Sequence, residues 1–459
     1  MTLTKEHISI LAVAAITSFM GTFLISSVNI ALPAIEADFG LDAVSLSLMV
    51  TAFLLASAIL LLPVGRLADS KGIRRLFKIG LIIFTLTSLL CAIAPNGMLL
   101  IFFRFLQGTG AALTTTTGPA ILVSVFPPQQ RGRVLGISVS AVYLGLATGP
   151  LFGGLLTQSF GWRSIFYLST LMGFGAIIAA YLYLGRDGIR GARQAINLKG
   201  LFFYMPGLFL LVFGSSWIPG TTGWIMLTLG LVLLIVFWLH EQRSTAPVFD
   251  TRLFSRNRLF AFSNLAALIN YSATFAIVFF LSLYLQKIQL LSPREAGSIL
   301  IAQPIIMAIF SPLAGRLSDR VQPRYLATLG MSMCTLGLAA FAFLGPETPV
   351  ALIVGILSFV GLGFAFFSSP NMNTIMGAVE RHQYGIASGT SATMRVLGQM
   401  TSMTIATIFF ALLFSGDSVN AVSNEVFLKA QFWGFLTFAA IGATGIYFSL
   451  NRGRVVREK

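Results

Sequence analysis

The chain has 459 residues, of which 56% are hydrophobic and only 10% are charged, and its formal net charge is +15. Soluble globular domains carry about 25% charged residues, so this composition excludes a water-soluble protein and requires lipid as the solvent. The two cysteines, Cys91 and Cys334, lie within apolar runs and define neither a disulfide framework nor a metal site.

Fourteen apolar runs follow one another along the chain. A run of about 20 apolar residues crosses a bilayer as a helix, because lipid offers no partners to exposed backbone groups. The first run is too long for a cleavable signal peptide and is expected to remain as a helix. The sequence therefore predicts an all-α polytopic membrane protein with 14 transmembrane helices, at residues 8–30, 46–65, 76–94, 98–125, 134–156, 163–184, 198–216, 223–240, 259–286, 296–315, 325–345, 349–370, 385–414 and 430–450.

The distribution of basic residues orients these spans. With the N-terminus inside the cell, most Lys and Arg residues lie on the cytoplasmic side, as the positive-inside rule requires. This asymmetry predicts a multi-pass protein of the plasma (inner) membrane with both termini cytoplasmic, and it explains the basic excess without nucleic acid. The inside set includes Lys71, Arg74, Arg75, Arg131, Arg133, Arg186, Arg190, Arg193, Arg243, Arg252, Arg256, Arg258, Arg452, Arg454, Arg457 and Lys459; the outside set is Arg163, Lys287, Arg294 and Lys429.

The connection after the second span carries a distinctive charge pattern. Residues 65–75 read GRLADSKGIRR, and a degraded copy, GRLSDRVQPRY, occupies residues 315–325 between two later spans. We interpret each as a short cytoplasmic loop that clasps the bundle and releases it when the bundle opens inward; a solvated charge run is the alternative. The residues assigned to the clasp and to conformational or proton coupling are Gly65, Arg66, Asp69, Gly72, Arg74, Arg75 and Asp319.

Span four contains an arginine, Arg104, in the sequence RFLQGTG. Gln107 follows at i+3, on the same helical face. An arginine at membrane depth needs an anion, carbonyl groups or water. Arg104 therefore either ties two helices together or takes part in conformational or proton coupling.

Span five carries a stripe of small residues. Gly145, Gly149 and Gly153 recur every fourth position, with Pro150 among them. Small residues on one face allow a neighbouring helix to approach closely. The stripe predicts such packing and, at the middle of a two-fold bundle, a gate.

Two basic segments, 185–199 and 241–258, enclose only two spans. The simplest organisation is six helices, an inserted pair and six more helices. Repeated halves in a polytopic chain are typical of transporters. The predicted units are 1–190, an N-terminal six-helix bundle; 191–245, the inserted pair with its basic linkers; and 246–459, a C-terminal six-helix bundle with a short basic tail.

The acidic residues fall at helix ends or in connections, and Glu36 and Asp38 follow the first span on the outside. Without acids or bases inside the spans, we expect no enzymatic activity, no metal and no cofactor. The polar candidates for a substrate pocket are uncharged apart from one arginine, and each could instead form an interhelical hydrogen bond. They are Asn29, Gln107, Tyr143, Asn270, Tyr271, Gln303, Asn371, Asn373 and Arg395.

These motifs resemble those of the major facilitator superfamily. GRLADSKGIRR is similar to its loop between helices two and three, RFLQGTG to its span-four motif and ATGPLFGG to a span-five motif regarded as marking antiporters. NIALPAIEADF, at residues 29–39, resembles the end of span one in the fourteen-helix drug/proton antiporter branch, the EmrB/QacA-like proteins. The resemblance implies the major facilitator fold, two six-helix halves with two extra inserted helices, in a protein that works as a monomer.

The chain departs from that branch at one informative position. Members typically carry an Asp, implicated in cation recognition and proton coupling, where this chain has Leu24. A lipophilic cation would then meet no buried countercharge, and desolvating an unpaired charge is costly. The sequence therefore disfavours quaternary-ammonium substrates.

The leading hypothesis is a secondary active transporter that works by alternating access, with protons driving multidrug-type efflux of small organic compounds. If protons drive it, Asp69 and Arg104 are the available carriers, joined by Glu36 or Asp38 at the outer mouth. A second hypothesis is an importer or facilitator of a neutral or anionic metabolite such as an aromatic vitamin. A third is a non-transporting membrane sensor or scaffold, which would tolerate substitution of Asp69 or Arg104.

Overall fold

The computed structural model describes residues 5–126, 128–185, 198–244, 251–379, 384–414 and 417–453, all of them helices and their connections. The helices are α1 (Lys5–Phe39), α2 (Ala43–Lys71), α3 (Ile73–Ala92), α4 (Gly97–Val125), α5 (Pro128–Phe160), α6 (Arg163–Tyr183), α7 (Leu198–Ser215), α8 (Thr221–Arg243), α9 (Thr251–Arg256), α10 (Arg258–Thr274), α11 (Ala276–Lys287), α12 (Pro293–Leu300), α13 (Ala302–Arg320), α14 (Pro323–Ala342), α15 (Val350–Gly377), α16 (Tyr384–Leu413) and α17 (Asn424–Leu450).

Twelve helical stretches among the described residues are long and apolar enough to cross a membrane. Two of them each combine two consecutive helices, α10 with α11 and α12 with α13. The 33-residue α5 is not among the twelve, and α7 is a shorter apolar helix. The structure thus confirms an all-helical polytopic protein, whereas the count of 14 spans stays a prediction.

The two halves repeat the same packing. In the first half α1 packs on α5 and α6, α2 on α4, and α3 on α4 and α6. In the second half α10 packs on α16 and α17, α13 on α15, and α14 on α15 and α17. The pair α7–α8 joins α2 through Tyr204, whose hydroxyl donates to the carbonyl of Ala58 at 2.8 Å. Each half is therefore a bundle with the same helix packing, and the α7–α8 pair packs beside these bundles. The division into two six-span halves with an inserted pair stays a prediction.

The repeated charge pattern is helical rather than a loop, contrary to expectation. Residues 65–71 form the last turns of α2, and Gly72 alone makes the turn, with φ of 98°, before α3 begins. Gly65 is a helical residue of α2 and makes no turn. In the copy, α13 continues to Arg320 and α14 starts at Pro323. The side chains of Arg66, Asp69 and Asp319 lie outside the described residues, so the clasp stays a prediction.

A ladder of hydroxyl groups joins α1 to α5. Thr22 Oγ1 donates to the carbonyl of Val142 at 3.0 Å, and Ser26 Oγ donates to Leu146 at 3.2 Å. One turn earlier Ser18 and Ser138 are 3.1 Å apart, and at the far end Ser27 donates to Gly149 at 2.9 Å. Backbones must be close for such short side chains to bridge them.

The glycine stripe makes this approach possible. A Cβ atom at Gly149 would lie 2.5 Å from the Cβ of Ser26, and one at Gly153 would lie 2.8 Å from the Cα of Ser27. A Cβ at Gly145 would meet Thr22 and the backbone of Phe19. Close approach of a neighbouring helix is therefore present at all three glycines.

Gly149→Ala is expected to lower the free energy of unfolding by about 1–3 kcal/mol, because the added methyl group overpacks the contact between α1 and α5. Gly175→Ala, on α6, is the matched control, since nothing lies within 4 Å of its Cβ position. Denaturation of both variants in detergent micelles measures the difference. Equal stabilities would contradict the close packing described here.

Candidate functional site

The two halves meet at one end of the bundle, here called the closed end, formed by the ends of α1, α2, α5, α11 and α12 with residues 407–414 and 417–422. Ser47 Oγ and Thr407 Oγ1 lie 2.8 Å apart. Ser282 Oγ donates to the carbonyl of Asn29 at 2.6 Å, and Gln286 Nε2 donates to Ile30 at 3.1 Å. These hydrogen bonds hold the first half against the second.

Small residues bring the backbones of the halves together at the closed end. A Cβ atom at Gly297, on α12, would meet the carbonyl of Pro150, and one at Gly154 would meet the carbonyl of Pro293. Gly153, next to Gly154, faces α1 instead. The three glycines of the stripe therefore contact α1 in their own half, whereas Pro150 and Gly154 beside them contact the other half. The gate stays a prediction.

The closed end also contains an acidic side chain, Glu36, which the sequence predicts to follow the first span on the outside. Because α1 continues to Phe39, Glu36 lies in its last turn and is only 2% exposed. Its Oε1 accepts a hydrogen bond from the backbone N of Asn420 at 2.7 Å. Beside it, the backbone N of Ala43 donates to the carbonyl of Asp417 at 3.1 Å. Both bonds join the first half to the segment between α16 and α17.

Arg104 lies in a buried network rather than at an open surface. Its Nη1 donates to Gln107 Oε1 at 2.6 Å, and its Nε reaches the carbonyl of Met49 at 3.4 Å. The guanidinium carbon lies 4.6 Å above the ring of Phe53, and Gln107 Nε2 donates to Ser88 Oγ at 2.7 Å. Arg104 and Gln107 thus tie α4 to α2 and α3, which supports the first of the two roles proposed for Arg104 and leaves Gln107 no exposed surface.

Three candidate pocket residues are partly exposed inside the bundle. Tyr143 comes from α5 in the first half, and Tyr271 and Arg395 come from α10 and α16 in the second. The phenol of Tyr271 interacts electrostatically with Arg395 and Tyr143. Its ring packs edge-on against Phe364, with centroids 5.4 Å apart. The two halves thus contribute aromatic rings and one cation to the same interior region.

Three other candidates, Asn29, Asn270 and Gln303, are buried, and in each the amide oxygen has no hydrogen-bond partner among the described residues. Uncompensated oxygens of this kind suit a water or a ligand group better than a fully packed core. Asn373 instead donates to Ser318 at 2.8 Å. The predicted pocket residues therefore divide into partly exposed, buried and internally bonded groups.

The last candidate, Asn371, forms part of a cluster that the sequence did not reveal. Its Oδ1 accepts a hydrogen bond from Arg452 Nη1 at 2.5 Å, and Arg452 Nε and Nη2 donate to Ser449. Arg452 is fully buried, and this burial lowers the pKa of its guanidinium below the usual arginine value. The cluster fixes the end of α17 to α15, so Asn371 has a structural partner.

Leu24, the position where the resembling branch carries Asp, is completely buried in the hydrophobic core. In this state the surroundings of position 24 therefore suit an apolar side chain, and no carboxylate occupies that position.

Paired helical bundles with hydrogen-bonded ends and polar groups between them define a polytopic membrane transporter fold. The model of the Major Facilitator Superfamily matches residues 11–403. The chain belongs to the major facilitator superfamily.

Two relatives illustrate the range of the family. The chain is 32% identical over 414 residues to the riboflavin transporter RibZ of Clostridioides difficile (strain 630), covering 90% of this chain and 89% of that protein. It is 30% identical over 433 residues to the multidrug resistance protein B homolog of Mycobacterium tuberculosis (strain ATCC 25618 / H37Rv), covering 91% and 79%. The transporter names of these relatives agree with a non-enzymatic protein.

Solved structures confirm the fold. A bacterial homolog of the human lysosomal transporter Spinster, in an inward-facing and unoccupied conformation, aligns with a TM-score of 0.69 at 15% identity, covering 98% of this chain and 97% of that one. A D-xylose–proton symporter also aligns with a TM-score of 0.69, at 13% identity and 97% coverage of both chains. At these identities the likeness concerns the fold alone.

Gln107→Leu is expected to lower the free energy of unfolding by about 1.5–3 kcal/mol, because Arg104 loses a hydrogen bond to its charged group in a buried site. Gln107→Glu keeps an acceptor facing Arg104 and should remain close to the wild-type protein. Denaturation in detergent micelles distinguishes the two. If both variants lose the same stability, the cost comes from packing and not from the network.

Proposed function

We propose that this protein is a secondary active transporter that works by alternating access and exports small organic compounds in exchange for protons. The observation that carries the proposal is the closed end, where two halves with matching helix packing are held together by a few hydrogen bonds and close glycine contacts. Such a junction can form and break without changing either half. Rocking of two halves around a central site is the usual mechanism of repeated transporter bundles.

We place the closed end outside and the termini in the cytoplasm, as the charge distribution predicts. The structure then represents an outward-closed state. We also propose that α5 and α7 bring the number of spans to 14. The length of α5, its packing along α1 and the pairing of α7 with α8 support this count.

Export is supported by the relatives named as multidrug resistance proteins and by the glycine contacts at the closed end, where an antiporter-type span-five motif was predicted. We assign proton coupling to Asp69, at the end of α2. We also propose that the Arg104–Gln107 network contributes to this coupling through the packing of α4. The transporter is proposed to act as a monomer in the plasma membrane, with no cofactor.

Proteoliposomes test the proposal directly. With a neutral lipophilic fluorescent dye as substrate, an imposed pH gradient should drive dye accumulation, and a protonophore should abolish it. Asp69→Asn should reduce the driven rate by about tenfold or more, because coupling loses its titratable group, whereas downhill exchange should persist. Absence of any flux that responds to the gradient would contradict proton coupling.

One observation favours a second candidate, an importer or facilitator of a neutral or anionic aromatic metabolite. Arg395 lies among Tyr271 and Tyr143, and no described carboxylate forms an ion pair with it. A cation beside aromatic rings suits a planar, anionic or electron-rich ligand. The relative named as a riboflavin transporter is consistent with this chemistry.

Arg395→Gln separates the two candidates in a host deprived of its own exporters and importers. If the substrate is an aromatic anion, the variant should lose most uptake, with at least about a tenfold rise in apparent KM, because one charge-assisted contact is removed. Lys429→Gln, an exposed change on α17, is the charge-matched control. Unchanged uptake in the Arg395 variant, or protection from toxic compounds without any uptake, would contradict the second candidate.

A further inference from the structure

Glu36 is buried between the halves without the partner that a buried charge requires. The side chain is 2% exposed; the backbone N–H of Asn420 donates to it, and the backbone of Val419 and the hydroxyl of Ser418 lie beside the carboxyl group. Its second oxygen, Oε2, has no hydrogen-bond partner among the described residues. Glutamate is almost never buried to this extent as an ion unless an opposite charge pairs with it.

The nearest cation is engaged elsewhere. Lys287, at the end of α11, acts on Glu36 electrostatically, but its Nζ donates to the carbonyls of Asn420 at 3.3 Å and Val422 at 2.9 Å. The ion pair found among the described side chains joins Arg163 to Asp38 and does not include Glu36. A neutral carboxyl group fits this environment better than a carboxylate.

We propose that Glu36 is a proton-binding site of the closed end, which takes up one proton when the halves close together and releases it when they separate. The inference rests on the alternating access of the proposed function. In the closed state Oε1 accepts from the N–H of Asn420, and the proton resides on Oε2. The hydroxyl of Ser418, which faces the carboxyl group, can accept a hydrogen bond from it.

The other charged groups of this end have their own partners or roles. Asp38, on the same helix, accepts from Arg163 Nη1 at 2.6 Å and from Trp162 Nε1 at 3.1 Å. Asp42 caps α2 by accepting from the backbone N of Ser45 at 3.2 Å. Asp417 contributes its backbone carbonyl to the junction. Of these acids Glu36 is the one that is buried in the closed state, so separation of the halves exposes it to water.

The direction of the pH effect depends on the state in which the charged form of Glu36 is more stable. When the halves separate, water solvates Glu36 and favours the carboxylate; when they close, burial favours the neutral acid. Acid outside the cell should therefore favour closure, and alkaline conditions should favour opening. A proton taken up from outside would thus favour the outward-closed state. Because Glu36 releases this proton on the same side, the site shifts the balance between open and closed states and does not itself carry a proton across the membrane.

Glu36→Gln tests the site, because glutamine has the shape and neutrality of the protonated acid. Spin labels at Met98→Cys and Glu347→Cys, both exposed residues on opposite halves at this end, report its opening. Measurements are made in lipid nanodiscs between pH 5 and 9, without substrate or gradient. In the otherwise wild-type protein, the ratio of open to closed distances should rise with pH by up to about tenfold per unit, the limit for one proton.

In the Glu36→Gln variant the short, closed distance should dominate at every pH. Asp38→Asn is the matched control on the same helix and should keep the wild-type pH response. The proposal is overturned if Glu36→Gln responds to pH as the wild-type protein does, or if the wild-type distances do not depend on pH. Because no substrate is present, failure here is distinguishable from failure of proton-driven transport in proteoliposomes.

Discussion

In lipid, the hydrophobic effect does not hold one helix against another, because the surrounding acyl chains are as apolar as the side chains. Helices must associate through close packing and hydrogen bonds. The contact between α1 and α5 shows both: Gly145, Gly149 and Gly153 let the backbones approach, and short hydroxyl side chains on α1 donate to carbonyls of α5.

The closed end joins the two halves by the same kinds of contact, hydrogen bonds and close glycine packing, but with fewer of them. The hydroxyl pair Ser47–Thr407, the bonds from Ser282 and Gln286 and the glycine contacts around Pro150 are individually weak. A hydrogen bond between membrane helices contributes about 0.6 kcal/mol on average. A junction of this kind can hold the closed state and still open, whereas the ladder between α1 and α5 lies within the first half and does not cross the junction.

Much of this arrangement could be predicted from the sequence, because it depends on local pattern. The two halves follow from repeated motifs and apolar runs, and the face shared by Arg104 and Gln107 follows from helical spacing. Helix ends are less well determined by pattern, so the sequence places Glu36 after the first span, although α1 continues to Phe39, and it predicts a loop at the end of α2. Arg452 could not be predicted as a buried residue, because its partners Ser263, Asn371 and Ser449 come from three separate helices.

The central claim is that the halves must separate at the closed end for transport to occur. The most direct test is a disulfide between Ser47→Cys and Thr407→Cys, whose wild-type oxygen atoms lie 2.8 Å apart, in a protein with Cys91 and Cys334 replaced. Oxidation should abolish substrate flux in proteoliposomes, and reduction should restore it. Flux that continues at the same rate with the disulfide formed would contradict the account.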